Sequence, residues 1–125
     1  GRLVVSNSLM AASWRATPAN DQQLSVGWNS SIGQLGVELA VHSLGGGVLV
    51  LVPRECHQIL LPRQTPQRPL KRVTRELERA VLTNSHEEAS DIADAHLVKS
   101  GWDTEELTTA RELAGVLRAW RTGAR

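Results

Sequence analysis

Asn29-Ser30-Ser31-Ile32-Gly33-Gln34-Leu35-Gly36-Val37-Glu38-Leu39-Ala40-Val41-His42-Ser43-Leu44-Gly45-Gly46-Gly47-Val48-Leu49-Val50-Leu51-Val52-Pro53 changes its hydrophobic period part-way along. Before the glycines, Leu24, Trp28, Ile32, Leu35, Leu39 and His42 recur at helical spacing, which predicts one amphipathic helix over residues 22–43. Gly27, Gly33 and Gly36 lie inside that span, each costing about 1 kcal/mol relative to alanine. Gly33, Gly36 and Ala40 share a face, so close approach of another backbone is the expected return for that cost. Gly45-Gly46-Gly47 ends the helix and lets the chain reverse. Val48 to Val52 is wholly apolar and mostly β-branched, as in a strand covered on both faces. Pro53 to His57 makes a short polar crossing into Ile59-Leu60-Leu61, and Leu3–Ser6 gives another strand signal. The expectation is an α+β fold, with a small sheet of Leu3–Ser6, Val48–Val52 and Ile59–Leu61 packed on the long helix.

Working outward, residues 63–69 hold Pro66 and Pro69 among polar residues and read as an extended linker. It divides a sheet-plus-helix core over 1–62 from a helical tail over 70–125. Three helices are expected in the tail. Leu70, Val73, Leu77 and Val81 form an apolar stripe on the first. Ser85-His86-Glu87-Glu88 and Asp103-Thr104-Glu105-Glu106 resemble capping boxes opening the second and third. Gly101 stops the second, and the short connection predicts that the last two fold back as a helical hairpin.

The composition is that of an ordinary globular domain, with 41% hydrophobic and 22% charged residues. Four Trp with no Phe or Tyr leave core filling to Leu, Val, Ala and Ile, with tryptophans as anchors. The single Cys56 excludes an internal disulfide and, with no apolar run long enough for a bilayer, suits a cytoplasmic protein. A start at Gly1 rather than Met suggests a piece cut from a longer protein. The net charge of +1 argues against an indiscriminate nucleic-acid binder. Its distribution is uneven, however. Residues 63–82 carry six basic groups against Glu76 and Glu78, whereas 83–114 carry eight acidic groups against Lys99 and Arg111.

Few residues have catalytic spacing. Gly45-Gly46-Gly47 runs from helix to strand with no following lysine, the reverse of a phosphate-cradling loop, and reads as a turn. Cys56-His57 lacks an orienting third group and reads as structure. His86, Glu87, Asp91, Asp94 and His96 lack a metal-binding spacing and read as a solvated acidic face. Lys71, Arg72, Arg75 and Arg79 are the better functional set, because spacings of three and four line them along one helix surface. With Arg54 and Arg63 they are the candidate contacts to DNA phosphates. Arg118, Arg121 and Arg125 form a weaker basic patch. Leu113, Leu117 and Trp120 on the last helix form a candidate interaction surface.

Trp28-Asn29-Ser30-Ser31, Gly45-Gly46-Gly47-Val48-Leu49-Val50-Leu51, and Pro53-Arg54-Glu55 with Leu60-Leu61-Pro62 together resemble a known pattern. It is that of the C-terminal, target-recognition region of adenine-specific DNA methyltransferases of restriction-modification or phage-defence type. The likeness spans roughly residues 2–62, and within it Asn29, Ser30, Gly45, Gly46, Gly47 and Pro53 are the motif positions. Such enzymes move a methyl group from S-adenosylmethionine to the amine of an adenine flipped out of the duplex. That chemistry needs an Asn/Asp-Pro-Pro-aromatic motif, and this chain has neither a Pro-Pro pair nor Phe or Tyr. The resemblance therefore implies a non-catalytic recognition or positioning fragment, with cofactor and catalytic residues in another domain. Its expected partners are double-stranded DNA and that catalytic domain. The rival expectation is an interaction module that docks to a catalytic subunit or to a second copy of itself.

Overall fold

Ser30 divides the helix expected over residues 22–43. In the computed structural model, which describes residues 21–44, 47–64 and 70–123, α1 spans Asp21–Asn29 and α2 spans Ser31–Ala40. Ser30 takes an extended conformation, with φ −70° and ψ 159°. Its N–H closes α1 on the Val26 carbonyl at 3.1 Å. Its hydroxyl accepts from the Gly33 N–H at 3.1 Å and donates to the Gly27 carbonyl at 2.7 Å. A serine side chain competing for backbone partners thus ends one helix and caps the next, although the apolar period runs through both.

The expected sheet is replaced by a mostly helical fold. Its described strand pairing is a minimal antiparallel hairpin, β1 (Ser43–Leu44) with β2 (Val48–Leu49), in the register Ser43↔Leu49 and Leu44↔Val48. Val48 is 60% exposed, so the apolar run is not a doubly covered strand. Beyond Leu49 the chain enters a single helical turn, α3 (Pro53–Cys56), which Pro53 starts at a position where its missing N–H costs nothing. Ile59–Leu61 forms no strand. Its backbone lies on the glycine face of α2 instead, where a Cβ on Gly36 would stand 2.6 Å from the Leu60 carbonyl oxygen. Gly36, having no Cβ, permits this approach, and the segment packs on the helix instead of pairing as a strand. The proposed strand at Leu3–Ser6, together with Gly45, Gly46 and most of the expected linker, lies outside the described residues.

All three expected tail helices form: α4 (Lys71–Leu82), α5 (His86–Lys99) and α6 (Thr104–Thr122). Leu77 and Ala80 of α4 are buried, whereas Val81, expected on the inner stripe, is exposed. Asp103 caps α6 through the N–H of Glu105 at 2.6 Å, but the Ser85 side chain makes no capping bond to α5. The expected hairpin of the last two helices gives way to a different pairing: α6 lies mainly against α2, while α4 and α5 pack on each other and on α1. Helices from both sides of residues 65–69 therefore share one core of Val26, Leu70, Leu77, Ala80, Ala89, Ala93, Leu97 and Leu107. Trp102 packs at its edge and donates its indole N–H to the Arg63 carbonyl at 2.9 Å. Among the described residues, no helix is long and apolar enough to cross a membrane.

Candidate nucleic-acid interface

The Asn29-Ser30-Ser31 motif folds into a helix junction whose two serines are buried. Ser30 is fully buried and Ser31 is 1% exposed. Asn29 donates to the Ser25 carbonyl at 2.8 Å. Ser31 gives both its N–H and its hydroxyl to the Asp94 carboxylate of α5, at 2.8 and 2.5 Å. Asp94 thus places a negative charge at the N-terminus of α2, where the helix dipole favours it. Arg111 of α6 completes the junction. Its guanidinium donates to the Ser31 hydroxyl at 3.1 Å, to Asp91 at 2.6 Å and to Asp94 at 3.0 Å. Burial works against the Arg111 charge, but the two carboxylates outweigh it and raise its pKa.

One turn further along, Gln34 accepts from Arg118 at 3.2 Å. Glu38 takes Arg121 at 2.9 Å through each of its oxygens and Arg118 at 3.4 Å. Arg121 also donates to the Gly47 carbonyl, tying the hairpin to the end of α6. At Gly47, φ is +81° and an added Cβ would stand 3.1 Å from Thr122 Cα, so both conformation and space call for glycine. The two arginines of the weaker basic patch that are described here therefore act as internal ties. The sequence held a signal for this latch: Ser31, Gln34 and Glu38 recur on one face of α2, as Arg111, Arg118 and Arg121 do on α6.

The Glu38 side chain is 5% exposed, and the hydrogen bonds from Arg121, despite opposing desolvation, hold its pKa below the ordinary carboxylate value. A carboxylate with a depressed folded-state pKa adds stability that is fully present above its unfolded value. That stability is lost as pH falls through the folded one. Glu38→Gln is expected to lower stability by about 1–3 kcal/mol at neutral pH. It should also flatten the loss of stability as pH falls below the ordinary carboxylate range, as followed by urea denaturation at a series of pH values.

The candidate DNA contacts lie elsewhere. Lys71, Arg72, Arg75 and Arg79 are all exposed on α4, on the side turned away from buried Leu77 and Ala80. Arg72 is bonded to Glu76 at 2.9 Å, an exposed pair that raises its pKa. Lys71, Arg75 and Arg79 have no ion pair among the described residues. Successive spacings of four place them along about 12 Å of helix. Arg54 is exposed on α3 and Arg63 is exposed just before residues 65–69, so neither shares the helix that gathers the other four. Near Arg54, Glu55 contacts His42 Nδ1 at 2.5 Å, while Cys56 is partly buried and His57 exposed.

Residues 2–98 match the family model for the type II methyltransferase M.Eco57I, C-terminal domain. The chain belongs to this family. The match takes in α1 to α5, including the serine junction and the basic face of α4, and stops short of α6. No curated protein and no solved structure matches the chain significantly. Membership in a C-terminal domain family implies a catalytic domain as partner within the parent methyltransferase, in keeping with the restriction-modification resemblance. The matched region also extends beyond the motif residues, through α4 and nearly all of α5.

Proposed function

We propose that the chain positions double-stranded DNA for an adenine-specific, S-adenosylmethionine-dependent methyltransferase. In this reading the catalytic domain supplies the cofactor site and the chemistry, and this domain supplies phosphate contacts. The observation that carries it is the row Lys71, Arg75 and Arg79, exposed, without ion pairs among the described residues, and mounted on a helix whose other side is fixed in the core. Cations held this way can follow a phosphate backbone without first giving up an internal partner. The serine junction serves the same end indirectly, by fixing α2 and α5 so that the bundle holding α4 is rigid. Family membership supports a DNA substrate for the parent enzyme. Target recognition by this domain rests on the placement of the basic row.

Each phosphate contact should contribute about 0.9 to the slope of log affinity against log salt. The triple change Lys71→Gln, Arg75→Gln and Arg79→Gln is expected to weaken duplex binding and flatten that slope by about two to three, as read from an electrophoretic assay across salt concentrations. All three side chains are exposed, so the fold should survive, and circular dichroism will check it. An unchanged affinity and slope in the folded triple variant would refute the assignment.

A further inference from the structure

The exposed face of α4 is not uniform. At about 100° per residue, its order around the helix is Arg72, Arg79, Arg75, Leu82, Lys71, Glu78. The arginines therefore hold one edge and Glu78 the other, about 100° round from Arg79. Lys71, the cation on the Glu78 side, stands two turns away, about 10 Å along the axis. Glu78 is exposed and forms no ion pair among the described residues, although Arg75 lies three positions before it, a spacing at which helical pairs form. Glu76, by contrast, takes Arg72 at 2.9 Å. One turn beyond Glu78, Leu82 is 86% exposed. Phosphates repel a carboxylate and offer a leucine nothing, so this edge does not serve the contacts that suit the arginines.

We infer that Glu78 reads a base: its carboxylate accepts a hydrogen bond from an exocyclic amine in the major groove, that of cytosine or of adenine. The assignment rests on the DNA reading of α4 given above. A major groove about 12 Å wide admits a helix of about 10–12 Å diameter. With its arginine edge along one phosphate backbone, such a helix turns the neighbouring edge onto the base pairs. There the ring nitrogens and carbonyl oxygens of guanine and thymine are acceptors and repel a carboxylate, whereas the amines of cytosine and adenine donate to it. Each base pair carries its major-groove amine on one of its two bases, so a carboxylate fixed on a packed helix distinguishes the orientation of the pair. Leu82 supplies an apolar surface beside it, of the kind that meets a thymine methyl group. Glu78 is thus a specificity-determining residue, and the arginines supply affinity that is indifferent to sequence.

The test is selection of duplexes from a randomised library by the full chain and by its Glu78→Ala and Glu78→Gln variants, with the bound pools sequenced. The wild-type chain should enrich cytosine or adenine at one position, and which of the two it enriches identifies the amine. Glu78→Ala should lose that preference, by about tenfold or more, at that position alone. Glu78→Gln should favour adenine there, because a glutamine amide bonds adenine through two atoms. A duplex carrying a methyl group on the selected amine should bind the wild-type chain more weakly and Glu78→Ala no differently. A carboxylate that only repels phosphates gives another pattern: both variants bind every duplex more tightly and their pools match the wild type. That pattern overturns the proposal, as does a wild-type pool with no base preference. Glu78 is exposed, so both variants should fold, and circular dichroism will check it. The Lys71, Arg75 and Arg79 triple variant keeps the two readings apart. If it flattens the salt slope while the Glu78 variants leave the pool unchanged, base reading by Glu78 is refuted and the phosphate contacts stand. If the wild-type chain shows no salt-dependent binding, both are refuted.

Discussion

Gly33→Ala is expected to lower stability by about 3 kcal/mol or more, one of the largest effects of a single added methyl group in this chain. The Cβ would be driven into the Gly27 carbonyl, and the Gly27 carbonyl carbon and Trp28 carbonyl oxygen stand at 3.0 and 3.1 Å. These are backbone atoms, held where Ser30 turns α1 into α2, so no side-chain rotation relieves the clash. The junction must open, and with it the Ser31–Asp94–Arg111 contacts that depend on its geometry. Gly115→Ala is the control. It adds the same methyl at an exposed position on α6, where nothing lies within 4 Å of the new Cβ. There the ordinary helix preference operates alone, and a gain of up to about 1 kcal/mol is expected. Denaturant midpoints for the two variants should therefore move in opposite directions. If both shift slightly upward, the two helices do not meet as closely at Ser30 as described.

These glycines also show what the sequence could and could not reveal. That Gly33 and Gly36 need a neighbouring backbone followed from their cost in a helix, and Gly36 does receive the Leu60 backbone. The identity of that neighbour was hidden. Ile59-Leu60-Leu61 has the composition of a strand, and only its seat on the glycine face shows why it does not pair. Ser30 misled in a related way. The apolar period passes through it unbroken, because both helices bury the same side, while the break depends on a hydroxyl reaching two backbone groups. The tail helices were legible from periodicity and capping residues, but their pairing was not. A short connection suggests folding back, whereas the matched polar rows on α2 and α6 hold α6 to a helix far away in sequence. The α4 basic row was legible because its spacing fixes its face. Arg118 and Arg121 read as surface cations because their partner, Glu38, lies 80 and 83 residues away.

Asp94→Ala should cost about 3 kcal/mol, well above the loss from Arg111→Ala, although the two residues form an ion pair. The Asp94 side chain is 13% exposed and accepts from the N–H and hydroxyl of a serine that is 1% exposed. Its removal strands two buried donors at the first turn of α2 and takes away the anion that faces the helix dipole. Arg111 is 42% exposed, and water can replace most of what it gives, so about 1 kcal/mol is expected from its loss. The double variant should then fall short of the sum of the two losses, because Asp94→Ala already removes one of the two carboxylates that hold Arg111, the other being Asp91. This ordering separates two accounts of the junction. If Asp94 acts chiefly as a salt-bridge partner, the single losses should be similar, and high salt should erase both. If it acts as a cap for α2, delivered from α5, the Asp94→Ala loss should persist in high salt while the Arg111→Ala loss fades. Equal, salt-sensitive losses in urea denaturation would rule out the capping role. Persistence of the larger one would identify Ser31 and Asp94 as the contact through which α5 fixes the start of α2.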